Sequence, residues 1–502
     1  MKLEQIDIPG LGADAKAFLA REKKLLINGE WVAAASGKTF DSIDPATEEV
    51  VCQISEGDAA DVDKAVKAAR RAFESDEWAK MRPADRERLL LRLADLMEQH
   101  ADELAELEAL DVGKVLMFAK IVDVAGTIDY LRYMAGWATK VEGKTLDVSC
   151  GMPGQEFQAY TLRQPVGVCG QIIPWNFPLA MCIWKLSPAL ATGNTCVLKP
   201  AEQTCLSALR LGELILEAGF PKGVVNIITG MGETAGAALV AHPEVDKIAF
   251  TGSTPVGKMI GKSAMDTMKR ISLELGGKSP VVVMDDVDVE AVVGGAANAI
   301  FFNQGQVCTA GSRLYVHKKI FDNVVEGLAG VASSFKLGSG LNPDTNMGPL
   351  VSQEQLERVL GYIDKGRSEG GTVVTGGERA LNKGYFVQPT VFTNCKPDAT
   401  VVKEEIFGPV VVATPFDDVD EIARVANDTV FGLSASVWTK DVSMAHKLAR
   451  RIKAGTVWVN THNLIDPNLP FGGFKQSGFG REMGRDAIEM YTEPKSVLIQ
   501  LS

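Results

Sequence analysis

From Val166 onward, short apolar runs alternate with helix-like stretches, and no other feature of this sequence restricts its fold as much. Residues 166–173, 195–198, 224–229, 247–251 and 270–275 read as strands, and helices are expected to begin near Ala208, Thr234 and Pro255. Such alternation predicts an α/β fold built on a doubly wound parallel sheet. A second alternating block runs from residue 280 to about 472. Upstream, residues 1–24 read as a short amphipathic or loosely ordered lead, and residues 25–32 as a hairpin turning at Asn28-Gly29. Residues 61–73, 83–110 and 119–138 are expected to be helical. In the second of these, Leu89, Leu93, Leu96, Leu104 and Leu107 form the apolar stripe, and Pro83 suits the first turn. Residues 141–161 and 495–501 read as extended, belong to neither block, and are expected to form a small protruding sheet.

A length of 502 residues suggests two or three domains. The net charge of -12 argues against nucleic acid or an anionic membrane as a partner. No hydrophobic stretch approaches a membrane span, and the start of the chain lacks an apolar signal core. The eight cysteines show no CxxC pair and no metal-type spacing, and most lie in apolar runs, as expected of reduced thiols in the cytoplasm.

One cysteine differs. Cys308 lies among Gly and Gln residues and precedes Thr309, Ala310 and Gly311, a setting poorly explained by core packing. Its thiolate would attack a carbonyl carbon. Glu274 ends a strand-like run and is followed by Leu275, Gly276 and Gly277, which places a carboxylate at a strand end, where α/β folds present functional groups. A base of this kind could activate water against a thioester. A glutamate before Gly-Gly is also a common turn or cap residue, and the residues alone leave both readings open.

These two segments, together with matching motifs from about residue 25 to the C-terminus, resemble the aldehyde dehydrogenase superfamily. The resemblance implies a Rossmann-type cofactor domain, an α/β catalytic domain and a small protruding oligomerisation sheet. It assigns residues 1–140 and 162–276 to NAD binding and 277–480 to catalysis. Residues 141–161 and 486–502 would join subunits into a homotetramer or homodimer. It makes Cys308 the nucleophile and Glu274 the base, which disfavours acyl transfer to coenzyme A. Asn176, in the loop Ile173 to Pro178, becomes the oxyanion donor together with the backbone N–H of Cys308.

For the cofactor, the resemblance points to the loop carrying Gly252, Ser253 and Gly257, which follows a strand and opens a helix without being a GxGxxG fingerprint. Lys199 and Glu202 would reach the adenosine ribose, and the Glu202 carboxylate would repel a 2′-phosphate, favouring NAD over NADP. Glu405 and Phe407 would hold the nicotinamide ribose, with Ile173, Trp175 and Leu275 as further contacts. No metal is implied, since a thiol and NAD suffice.

Phe177, Met181, Trp184, Phe302 and Phe471 match the family's substrate tunnel. Together they predict an aromatic, apolar channel for a small-molecule aldehyde bearing a ring or an aliphatic chain. None is a cation, which disfavours semialdehyde acids, while aromatic walls leave room for betaine aldehyde. Residues 140–149 and 459–471 look most like bacterial phenylacetaldehyde dehydrogenases. His462 is expected to shape the tunnel mouth or pack in its loop, and residues 478–485 to link the catalytic domain to the tail. Rival readings are a broad-range aliphatic or betaine aldehyde dehydrogenase, a catalytically silent binding protein on the same fold, and a redox-free esterase.

Overall fold

A computed structural model of the chain describes residues 8–501. Residues 1–7, the first part of the expected lead, lie outside the described residues; its remainder includes the helix Ala13–Ala20. Five of the expected runs form the parallel heart of an eight-stranded sheet. In spatial order they are Arg270–Glu274, Lys247–Thr251, Val168–Ile172, Thr195–Lys199 and Val225–Ile227. The Leu25–Ile27/Glu30–Val32 hairpin extends one edge, and the short strand Gly478–Phe479 the other, both antiparallel. Every residue of Val168–Ile172 and Thr195–Lys199 is buried, as parallel strands covered on both faces require.

Chain order reverses beside Val168–Ile172: the next two strands add on one side, and Lys247–Thr251 then adds on the other. This is the switch point at which doubly wound sheets open a ligand crevice at their carboxyl ends. A second, seven-stranded sheet runs in the order Thr372–Thr375, Thr390–Thr393, Val410–Phe416, Arg313–His317, Pro280–Val283, Ser434–Trp438 and Thr456–Val459. It is parallel except at its first pair. A separate three-stranded sheet pairs Phe157–Pro165 with Thr492–Gln500 along nine residue pairs and adds Thr145–Leu146. Leu146, Leu162, Leu498 and Ile499 on it are exposed. No helix among the described residues is long and apolar enough to cross a membrane.

Two expected helices are built differently. Residues 83–110 form two helices, Pro83–Gln99 and Ala101–Val112, separated at His100. The break follows from a tertiary contact: the His100 ring lies 3.2 Å from Arg210 and 3.0 Å from Glu103, which accepts from Arg210. Within Pro83–Gln99 the buried stripe runs through Leu90, Leu93, Leu96 and Met97, with Leu89 at its margin. Residues 119–138 begin as a π-helical turn, Ala119–Ala125, before the regular helix Gly126–Ala135. The widened turn carries Asp123 inward to a buried partner, Lys114.

Candidate active site

Glu274 ends a strand of the first sheet, and the chain passes through Gly276 and Gly277 directly into the Pro280–Val283 strand of the second. Cys308 lies before the Arg313–His317 strand, in the connection that follows the helix Val289–Phe301. The carboxyl ends of one sheet thus meet the amino ends of the other. A Cβ on Gly277 would fall 2.3 Å from the Cys308 carbonyl oxygen, so this approach admits only glycine.

The turn before the thiol is strained. Asn303, Gln304 and Gly305 follow one another at φ 48°, 57° and 70°. Left-handed backbone costs a non-glycine residue on the order of 1–3 kcal/mol, and it persists where its surroundings over-determine it. Those surroundings are visible here. Asn303 Nδ2 donates to the Asn176 carbonyl (3.1 Å), Val351 N donates to Gln306 Oε1 (3.0 Å), and Thr309 Oγ1 donates to Asn463 Oδ1 (2.7 Å). Asn176, buried, donates through Nδ2 to the Gln306 carbonyl at 2.9 Å. A primary amide has two N–H bonds, so one is left to serve a group at the neighbouring Cys308.

The site is rich in carboxylates. Glu274 is 3% exposed, and neither of its oxygens has a hydrogen-bond partner. Burial, and after it the Glu482 carboxylate, raises its pKa well above the ordinary range. Glu405 accepts from Gly277 N at 2.8 Å, and burial lifts it to about 7. Burial, then Glu405 and Glu274, push the Cys308 thiol up to about 12. At neutral pH the resting thiol is therefore protonated, and Glu274 is placed to exchange protons in the same space.

Cys308 and Glu274 both line one cavity of about 470 Å³. All five expected tunnel residues, Phe177, Met181, Trp184, Phe302 and Phe471, are in its wall. The rings interlock, with Trp184 and Phe471 at 5.5 Å edge to face and Phe177 and Phe302 at 6.1 Å. Among the described residues no Lys, Arg or His lines the cavity, whereas Asp129, Asp466 and Glu482 do. Its mouth is formed by Ile121, Val122, Leu464 and Ile465, all exposed.

Several of these residues escape a reading of the sequence. Glu482 lies in a stretch expected only to link the catalytic domain to the tail, yet its side chain faces the cavity and pairs with Lys185. Lys185, fully buried, also donates to Thr251 Oγ1 at 2.7 Å. A lysine inside the otherwise apolar run 179–186 was the available signal. Ile121, Val122 and Asp129 carry no signal, because nothing in their helix distinguishes the tunnel from the core. His462 is buried beneath the nucleophile loop, donating through Nε2 to the Thr309 carbonyl (2.8 Å) and lying 2.9 Å from Ser436 Oγ. Burial lowers its pKa to about 4, so it stays neutral and packs rather than titrates.

The expected cofactor residues gather at the carboxyl ends of the first sheet. Ile173 and Trp175 follow one switch-point strand, and Gly252 and Ser253 follow the other. Ser253 precedes the helix Thr254–Ala264, whose first N–H groups have no side-chain cap and suit an anion. Gly257, within that helix, packs against Leu275. Lys199 ends the adjacent strand and pairs with Glu202 at 3.2 Å. Phe407 meets Trp175 edge to face at 5.1 Å, which brings the Glu405 segment to the same crevice. An open helix start, a carboxylate just beyond a strand end and aromatic walls at a switch point fit a dinucleotide. Among the described residues no cluster of His, Cys, Asp or Glu is arranged to hold a metal ion.

The pattern of the aldehyde dehydrogenase family matches residues 31–497. The chain is 54% identical over 479 residues to a phenylacetaldehyde dehydrogenase of Pseudomonas fluorescens, covering 95% of each. It superposes with a TM-score of 0.96 on the NAD+ complex of an aldehyde dehydrogenase from Bacillus cereus. The two are 52% identical, with 98% of this chain and 99% of that one covered.

Proposed function

The chain belongs to the aldehyde dehydrogenase family, and on that premise we propose that it oxidises phenylacetaldehyde and similar arylacetaldehydes to their carboxylic acids. It uses NAD. One observation carries the reading: a thiol and an unpartnered carboxylate share a cavity walled by aromatic rings. The absence of any lining cation, and the carboxylates that stand there instead, disfavour aldehydes that carry an acid group.

The Cys308 sulfur bonds to the aldehyde carbon, its proton leaving to solvent through the cavity, and the carbonyl becomes a tetrahedral oxyanion. Asn176 Nδ2 and the Cys308 backbone N–H donate to that oxygen. Lys199, Glu202, Ser253 and Glu405 would hold NAD, which when bound would supply the acceptor for the hydride that the carbon loses as it becomes a thioester. Glu274 then takes a proton from water as it attacks the thioester. The C–S bond breaks, the acid leaves, and Cys308 regains its proton. A glutamate in this position directs the acyl group to water rather than to coenzyme A.

In this reading residues 1–140 and 162–276 hold the cofactor and 277–480 carry the thiol. The segments 141–161 and 486–502 join subunits into a homotetramer or homodimer through the exposed apolar edge of the small sheet. Eight free thiols suit the cytoplasm.

Comparison of kcat/KM for phenylacetaldehyde, hexanal and betaine aldehyde tests the substrate. Phenylacetaldehyde is expected to lead; a hexanal preference of about tenfold or more would replace this reading with a broad-range aliphatic enzyme, since single methylenes discriminate by only ~1–3 kcal/mol. Glu202→Gln is expected to narrow the preference for NAD over NADP by at least about tenfold, because a like-charge contact costs several kcal/mol. An unchanged ratio of the two kcat/KM values rejects the ribose contact.

A further inference from the structure

Lys114 and Asp123 are both wholly buried, and Lys114 Nζ lies 2.6 Å from Asp123 Oδ1. Two irregularities bring them together: the left-handed turn at Gly113 that ends the helix Ala101–Val112, and the π-helical turn that carries Asp123. Buried ion pairs contribute little net stability, since desolvation offsets their attraction. This one touches the active-site wall. Lys114 Nζ also donates to the Asn176 carbonyl at 3.2 Å and sits 3.9 Å from the centre of the Phe177 ring. Asn303 Nδ2, from the strained turn before Cys308, donates to the same carbonyl, while Asn176 Nδ2 donates back to Gln306. The ion pair and the nucleophile loop therefore clamp one peptide group from two sides.

We propose that Lys114, held by Asp123, is a positioning residue that fixes the Asn176 amide against the Cys308 loop and so governs oxyanion stabilisation. The inference rests on the role given above to Asn176. Lys114 forms no bond to the substrate; it acts by denying Asn176 the freedom to rotate away, and small displacements of such a donor are costly.

The test is a mutant cycle in the full-length enzyme with phenylacetaldehyde and NAD, comparing Lys114→Met/Asp123→Asn, Asn176→Ala and the combination. Removing both keeps the net charge of the buried cluster, to which the Glu108 carboxyl also belongs. Asn176→Ala is expected to lower kcat about 10²–10³-fold. The Lys114→Met/Asp123→Asn enzyme is expected to lose about 10- to 100-fold in kcat, with KM for NAD unchanged. The combination is expected to be no slower than Asn176→Ala alone, a non-additivity that a purely structural role does not produce. Asp123→Asn by itself, which preserves the size of both side chains and leaves the buried Glu108 carboxyl as the acid acting on Lys114, is expected to show the same non-additivity and serves if the paired variant fails to fold. Equal losses in both backgrounds, or full kcat in the paired variant, overturn the inference while leaving Asn176 in its role. Full activity of Asn176→Ala overturns that role and the inference with it.

Discussion

Cys308→Ala is expected to abolish aldehyde oxidation, with kcat falling on the order of 10⁴-fold or more, as when a covalent nucleophile is removed elsewhere. NAD affinity should remain near that of the unaltered enzyme, because most of the proposed cofactor contacts lie at the carboxyl ends of the first sheet and none is on the Cys308 loop. The structure sharpens this expectation through pH. A thiol held up at about 12 is protonated across the neutral range. The fraction present as thiolate therefore rises with every step toward alkaline pH, and the rate of the first turnover should rise with it. NADH formation in a rapid-mixing experiment reads both results. Sustained oxidation by Cys308→Ala would remove the thiol from the mechanism.

Glu274→Gln should separate the two halves of the reaction. Thioester formation does not need this carboxylate as the water-activating base, so NADH should appear in a burst approaching one equivalent per active site. Hydrolysis does need it, and the following steady state should fall by about 10²–10⁴-fold, the usual contribution of a general base. The sign of the pH effect follows from the raised pKa of Glu274. Below that pKa the carboxyl is protonated and cannot accept a proton, so unaltered turnover climbs as pH passes upward through it. The amide variant should lack that limb. A steady-state rate equal to the parent's would exclude Glu274 as the base.

The strands of the first sheet were legible because parallel strands buried on two faces leave an uninterrupted apolar run, a signal confined to neighbouring residues, whereas the second sheet was legible only as an alternating block over 280–472. Cys308 and Glu274 stood out for a similar reason: small residues surround them, and that pattern is local. What stayed hidden depends on distant partners. The break at His100 is set by Arg210, 110 residues along the chain. The inward turn of Asp123 is intelligible only once the buried Lys114 ammonium, 2.6 Å from its carboxylate, is seen. The Gly-rich run around Glu482 reads as a linker until Gly478–Phe479 is seen to pair with Arg270–Glu274 and Glu482 with Phe471, which places the carboxylate at the cavity. The tunnel's five aromatic and apolar walls could be named from the sequence, but its rim at Ile121, Val122, Leu464 and Ile465 could not, since exposed apolar residues on helices and loops have no distinctive spacing.

The stretch from Ile173 to Trp184 places proposed cofactor contacts, the proposed oxyanion amide and part of the cavity wall on a single short piece of chain. Pleiotropy follows. A substitution there is expected to alter cofactor use and aldehyde choice together, so an optimum for one will usually compromise the other. The four rim residues bear no such double duty: they line the mouth of the cavity and are not among the proposed cofactor contacts. Directed evolution toward a new aldehyde should therefore accumulate its tolerated changes at 121, 122, 464 and 465, and leave 173–184 as they stand.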